Sequence, residues 1–164
     1  MIRTAVITLS DKGALGERAD DSGRVVQELV RSIGGRIDSY EVLPDERSII
    51  SKTLVRLADS GAIDLIITTG GTGVAPRDVT PEATRDVIDR ELPGMAEAMR
   101  AESLKKTTHA IISRALAGIR GRTLIVNLPG SPRAARENLT VILPALPHAL
   151  DKIKGDPSDC GSAD

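Results

Sequence analysis

Three short runs constrain the fold more than any other feature: RTAVITLS at 3–10, DLIITT at 64–69 and TLIVNL at 123–128. Each is apolar or β-branched at nearly every position. A strand without a polar face has no side to offer to water, so it must be covered on both faces, as in a parallel sheet. The first strand is expected over residues 2–9. Between these runs the hydrophobic period becomes helical. Val25, Val26, Leu29, Val30 and Ile33 recur after Asp20 and stop at Gly34-Gly35, and Ile49, Ile50, Leu54 and Leu57 mark a second helix. The more weakly alternating RIDSYEVLP at 36–44 suits an outer strand. Strands alternating with helices predict a three-layer α/β/α sandwich around a mostly parallel sheet.

The second half is punctuated by proline. PEATRDVIDREL at 81–92 opens on proline, which is favoured in the first helical turn because its missing N–H would be unpaired there anyway. Thr80 sits where a cap belongs. A fresh helix is expected over 93–104, and a long closing helix over 131–153 that Pro144 and Pro147 bend or divide. The pattern fills one domain, residues 1–154, followed by a polar tail at 155–164 that is expected to be disordered.

Composition removes several function classes. The formal net charge is -1 and the only aromatic residue is Tyr40. That leaves neither the basic footprint nor the stacking platforms of a nucleic-acid binder. No apolar run approaches the roughly 18–20 residues that cross a bilayer, and the start MIRTAVITLSD lacks a signal-peptide layout, so no membrane association and a cytoplasmic location are expected. The single cysteine, Cys160, can build neither an internal disulfide nor a cysteine zinc site, and reads as a free thiol.

Ligands of parallel sheets bind beyond the carboxyl ends of the strands. There this sequence places LSDKGALG, TTGGTGVAPRD and NLPGSPR, three loops rich in small residues that each lead towards a helix start suited to anions. The central loop lacks the Gly-Lys-Ser/Thr ending of a P-loop. It also carries Pro76 where a dinucleotide-binding fingerprint requires a small residue. The plain alternative is a tight turn needing positive φ. Asp78 argues further, because a carboxylate beside an anion-binding loop repels phosphate unless a cation stands between them. Magnesium, held by one or two carboxylates plus phosphates, meets that need. Asp45, in VLPDE, is the second candidate ligand, with helix capping near Glu46 as its alternative. Ser10-Asp11 reads otherwise as an Asx turn.

Other groups carry less. His109 and His148 have no partner at metal-binding spacing and are assigned no role. Neither Ser113 nor Ser131 sits in a Gly-x-Ser-x-Gly elbow, although either hydroxyl can donate to a phosphate. Met95 and Met99 have helical spacing and suit a core.

TTGGTG followed by RDVTPEAT, preceded by LPDE and followed by AIISR and NLPGSP, closely resembles the molybdenum cofactor biosynthesis family that includes MogA and MoaB. The resemblance covers the chain except its tail. It implies a three-layer α/β fold, a homotrimer or hexamer, and adenylylation of molybdopterin by Mg-ATP with release of pyrophosphate, the product passing to a molybdate-inserting enzyme. Residue by residue, it implies that Asp45 and Asp78 are the essential acids that hold Mg2+. Gly70, Gly71, Thr72 and Gly73 are implied to face a phosphate, with Thr80 at the end of the same motif. Ser113 and Arg114 would contact the pterin-side phosphate, Asn127, Pro129, Gly130 and Ser131 would border the nucleotide or pterin pocket, and Ser10 and Asp11 would line the cleft. Two alternatives stand beside transfer: a MoaB-like pterin binder or carrier without it, and a nicotinamide or flavin oxidoreductase, which only the architecture favours.

Overall fold

The computed structural model describes residues 1–157. The chain runs β1 (Arg3–Leu9), α1 (Asp11–Ala14), α2 (Asp21–Ser32), β2 (Arg36–Leu43), α3 (Arg47–Asp59), β3 (Leu65–Thr69), α4 (Thr80–Arg85), β4 (Arg90–Glu91) and α5 (Pro93–Leu104). It continues through a 3-10 turn (Thr108–Ile112), β5 (Ala117–Arg120), β6 (Thr123–Leu128), α6 (Pro132–Ile142), a second 3-10 turn (Leu143–Ala145) and α7 (Leu146–Ile153). The sheet order is β2-β1-β3-β6-β5-β4. Strands β2, β1, β3 and β6 are mutually parallel, and β5 and β4 add an antiparallel edge.

The continuous apolar runs are explained by the sheet's two covered faces. Val6, Ile67, Leu124 and Val126 point into one core with Val26, Val30, Met99 and Leu139 of the helices α2, α5 and α6. Their strand neighbours Ala5, Ile7, Ile66 and Ile125 point the other way, against Ile50 and Leu54 of α3 and Ala83 of α4. Alternation therefore exists along each strand, but both sides of it are apolar. Strand β2 alternates between exposed and half-buried residues, as its edge position requires.

Three expectations need correction. The helix expected over 81–92 ends at Arg85, because the backbone N–H groups of Asp89 and Leu92 donate to Ile119 and Ala117 and turn the chain into the sheet edge. Val79, and not Thr80, occupies the cap of α4. The first strand begins at Arg3. The closing helix is divided, as its prolines predict, by the turn at Leu143–Ala145. Gly155 and Asp156 still hydrogen-bond back to Lys152 and Asp151. The rest of the expected tail, residues 158–164 with Cys160, lies outside the described residues.

At the end of the sheet opposite the three loops, one ion cluster ties the start of β1 to the residue that follows α7. The carboxylate of Asp64 is almost fully buried, accepts from the Arg3 guanidinium and backbone N–H, and pairs with Lys154 at 3.1 Å.

Candidate functional site

The parallel strands β1, β3 and β6 deliver their loops to one rim. Gly70 donates its N–H to the carbonyl of Leu128 (3.0 Å), and the Thr69 hydroxyl donates to the carbonyl of Pro129 (2.7 Å), so the second and third loops are tied together. Close approach explains the glycines. Gly70 has φ +107°, and a Cβ there would lie 2.3 Å from the carbonyl oxygen of Leu9. Gly71 has φ +64°, and its Cβ would meet Thr80 Oγ1 at 2.3 Å and Asp45 Oδ1 at 3.0 Å. The result is a ridge of bare backbone. Thr80 fastens it from below, its hydroxyl donating to the Gly70 carbonyl and its N–H to that of Gly71.

The acids gather beside this ridge. The Asp11 N–H donates to Asp45 Oδ2 and the Asp45 N–H to Asp11 Oδ1. Asp45 does not cap α3, whose capping position is Glu46 without a side-chain bond. Asp78 Oδ2 accepts from Ala75 N–H at 2.9 Å, and the absent Cβ of Gly73 leaves space against it. Asp45 and Asp78 line one cleft of about 330 Å³ with Ser10, Gly70, Gly71, Gly130 and Ser131. Burial pushes the Asp45 carboxyl above the usual aspartate range, and the charges of Asp11 and Asp78 push it further. Arg77 forks onto Asp11 and holds that carboxyl below the usual range.

Among the described residues no three His, Cys, Asp or Glu side chains converge as a closed metal cage. Two carboxylates beside an amide-rich ridge fit the other kind of site, a magnesium ion that keeps water and phosphate oxygens as ligands. The raised Asp45 marks negative charge that a cation would offset.

Several carried-over residues act behind the cleft. Asn127 is fully buried, and its amide donates to the hydroxyls of Thr68 and Thr84, which fixes α4 against β3. Thr80 is likewise fully buried, against the carbonyls of Gly70 and Gly71. Arg114 clasps the glycine loop: Nε donates to the Gly73 carbonyl, Nη2 to the Asp78 carbonyl (2.6 Å each), and Nη1 pairs with Glu82. Ser10 and Ser131 accept from Gly13 and Ala134 as helix caps, and both residues line the cleft.

A second cleft, of about 250 Å³, lies beyond the ridge. Thr72, Gly73, Pro129 and Ser113 line it together with His109, Ile112 and Asn138. The ridge thus separates two cavities, and His109, given no role by the sequence, borders one of them. Also missed was Asp20, which lines the first cleft with Thr8, Arg18 and Ser22. It accepts from Thr8 and Tyr40 hydroxyls (2.5 Å each), from Ser22, and from the Gly23 N–H as cap of α2. Burial pushes its carboxyl up, but those hydrogen bonds outweigh it and leave the value lowered. The signal was present as Asp-Asp-Ser-Gly ahead of a helix, which the apolar periodicity made look like a start signal alone.

Fold and rim together define an α/β protein with a mostly parallel sheet, a ridge of bare backbone between two clefts and an acid pair at one of them. The chain belongs to the family described as the probable molybdopterin binding domain, whose model matches residues 5–148. It is 44% identical over 157 residues to the molybdopterin adenylyltransferase of Helicobacter pylori strain J99, covering 94% of this chain and 89% of that one. The Drosophila melanogaster molybdenum cofactor synthesis protein cinnamon is 41% identical over 158 residues, which cover 96% of this chain and 26% of the longer protein. Among solved structures, the molybdopterin biosynthesis enzyme MoaB from Thermus thermophilus superposes with a TM-score of 0.90 at 52% identity, covering 97% of this chain and 100% of that one.

Proposed function

We propose that this protein is a molybdopterin adenylyltransferase of molybdenum cofactor biosynthesis. The observation that carries the reading is the placement of Asp45 and Asp78 in one cleft against the backbone ridge of Gly70 and Gly71. Near full-length similarity to a relative of that name supports it.

In the proposed reaction an oxygen of the pterin's terminal phosphate attacks the α-phosphorus of ATP. A new P–O–P linkage to AMP forms, the bond between the α-phosphorus and the bridging oxygen to the β-phosphorus breaks, and its electron pair leaves with pyrophosphate. The nucleophile is already an anion, so no strong general base is needed. Bringing two polyanions together is the obstacle, and alignment with charge neutralisation is the remedy. Asp45 and Asp78 would hold magnesium, which when bound supplies positive charge to the phosphate oxygens. Gly70, Gly71 and Gly73 offer backbone amides without side-chain obstruction, and Ser10, Ser131 and Thr72 offer hydroxyl protons. Asp11 fixes Asp45, and Arg114 fixes the loop that carries Asp78. The two clefts flanking the ridge give one compartment to each substrate, with Ser113 and Pro129 on the less polar side.

One second reading is a pterin binder or carrier on the same scaffold, without transfer. Pyrophosphate release with molybdopterin and Mg-ATP decides between them. Turnover in the native chain, with loss in Asp45→Asn and Asp78→Asn, supports the transferase. Pterin binding without pyrophosphate supports the carrier.

We also propose a homotrimer or hexamer, for which Leu104, Ile111 and Ile112 supply exposed apolar surface around the end of α5. Light scattering on the purified protein tests this. Transfer of the product to a molybdate-inserting enzyme is supported by the relative in which the matching stretch is part of a longer molybdenum cofactor synthesis protein. A cytoplasmic location accords with the finding that no helix among the described residues is long and apolar enough to cross a membrane.

A further inference from the structure

Arg18 is the only cation on the wall of the first cleft, against Asp20, Asp21, Asp45 and Asp78. Neither neighbouring carboxylate takes it up. Asp20 already accepts from the hydroxyls of Thr8, Ser22 and Tyr40 and from the Gly23 N–H, and Asp21 pairs with Arg24 at 2.7 Å. Arg18 makes no hydrogen bond or ion pair among the described residues, so its whole fork of N–H donors is open to a ligand. None of the motifs that carry the family resemblance includes it.

Its place along the sheet decides which part of a nucleotide it can reach. Asp20, two residues on, is bonded to Thr8 of β1 and Tyr40 of β2, which sets the turn before α2 over those two strands. The glycine ridge follows β3, and the second cleft borders Pro129 in the loop after β6. In the order β2-β1-β3-β6 the ridge therefore lies between Arg18 and the second cleft. Displacement at phosphorus runs in line, with the attacking and leaving oxygens on opposite sides. A phosphate that attacks from the second cleft drives the leaving pyrophosphate away from the ridge, towards β1, β2 and Arg18. Charge points the same way. Asp45 and Asp78, with the proposed magnesium, serve the phosphates at the ridge, whereas the far end of the cleft holds Asp20 and Asp21 and offers an incoming anion no other cation than Arg18.

We propose that Arg18 is a catalytic residue for the leaving group, contacting the β- and γ-phosphates of ATP, an inference that rests on the adenylylation reading. As the bond between the α-phosphorus and the bridging oxygen breaks, the electron pair passes to that oxygen and negative charge gathers on the departing pyrophosphate. The Arg18 fork donates N–H groups to the pyrophosphate oxygens, a geometry that suits a guanidinium better than an ammonium. No proton moves, because the guanidinium stays charged throughout.

Calorimetric titration of Mg-pyrophosphate, Mg-ATP and AMP into the native chain and Arg18→Gln tests the contact. The variant is expected to bind Mg-pyrophosphate and Mg-ATP about tenfold more weakly, the loss of a charge-assisted hydrogen bond, and to bind AMP as the native chain does. In turnover with molybdopterin and Mg-ATP its kcat is expected to fall on the order of a hundredfold, as when one donor to a developing charge is removed, with the KM for molybdopterin unchanged. Arg18→Lys keeps the charge without the fork and should retain part of the rate. Arg18 is exposed and unbonded, so neither substitution should move the melting temperature. Unchanged Mg-pyrophosphate affinity in Arg18→Gln overturns the proposal, as does a native chain that binds no Mg-pyrophosphate. Equal weakening of AMP and Mg-ATP overturns it too, because it places the guanidinium against the nucleoside. A native chain that binds Mg-pyrophosphate through Arg18 yet releases none from ATP fails the transferase reading instead, and retains Arg18 as the pyrophosphate contact.

Discussion

Asp11 and Asp45 hold each other by the backbone: each N–H donates to the other's carboxylate, at 3.1 and 3.0 Å. The exchange staples the loop after β1 to the loop after β2 and fixes Asp45 against the glycine ridge. It also brings two carboxylates close enough for the charge of Asp11, with that of Asp78, to act on Asp45. Arg77, paired with Asp11, offsets part of this charge, and the proposed cation would offset the rest.

Asp45→Asn should therefore separate stability from activity. The folded Asp45 carboxyl lies above its unfolded value, so the folded state favours the neutral form and the ionised form costs stability above the unfolded value. Asparagine keeps an oxygen for the Asp11 N–H and removes that cost. The melting temperature is expected to rise on the order of 2 °C while pyrophosphate release is lost. In the native chain, catalysis and Mg2+ affinity should fall on acidification through the raised Asp45 value, earlier than an ordinary aspartate would dictate. A variant both inactive and markedly less stable would contradict the like-charge account.

How much of this could be read from the sequence depended on which force each residue obeys. β1, β3 and β6 were legible because burial on both faces leaves an unbroken apolar run. The overlong helix at 81–92 was not, since Asp89 and Leu92 are drawn away by hydrogen bonds to β5, a partner about thirty residues distant in the chain. Asp78 stood out as a charge beside the glycine loop, and Asp45 as an acid at the carboxyl end of the second strand. Asp20 was hidden because it does two things at once, capping α2 and gathering Thr8 and Tyr40. Asn127 and Thr80 carried the right motif, but their effect on the site passes through hydrogen bonds to Thr84 and Gly70.

Arg114 offers a sharper test of indirect action. It bridges the carbonyls of Gly73 and Asp78 and so closes the loop between them. Lysine has one point donor and cannot reproduce the fork. Arg114→Lys is expected to lower kcat by about 10–100-fold with the fold retained, the scale of losing a positioning contact. The concentration of Mg2+ needed for half-maximal activity should rise with it, because Asp78 rides on the loosened loop. A change confined to the KM of the pterin substrate would instead identify Arg114 as a phosphate contact.

The lone aromatic provides an internal reporter. Burial and the hydrogen bond to Asp20 push the Tyr40 phenol up to about 12. Asp20→Asn removes the negative acceptor and should bring the ultraviolet titration of the phenol down towards its ordinary value of about 10. With Tyr40 raised, its contribution to stability is complete below the unfolded value and disappears as pH rises through the folded one. The native chain should therefore lose stability in alkali more steeply than Asp20→Asn. Coincident titrations in both proteins would remove Asp20 from this role. Tyr40 fluorescence should also respond to ligands in the first cleft, which Asp20 lines.

Asp64 sets the acid limit. Its buried carboxylate accepts from Arg3 and pairs with Lys154, and although burial alone would raise it, these partners hold it far below the usual range. Stability from a lowered carboxyl is fully present above its unfolded value and is lost as pH falls through the folded one. Asp64→Asn keeps the shape but leaves Arg3 and Lys154 without their anion. Because Arg3 is 39% exposed and can rehydrate, the cost is expected below that of a fully buried broken pair, at about 2 kcal/mol, or about 4–8 °C in melting temperature. The difference between native and variant melting temperatures should be constant near neutrality and shrink as pH drops below about 4, where the unfolded native chain begins to take up the proton that its folded form refuses. The cluster lies at the end of the sheet away from the loops, so turnover at a temperature where both proteins are folded should not change. A variant that melts with the native protein would show that Arg3 and Lys154 contribute only desolvated charge, and that the apolar core alone fixes β1 against α7.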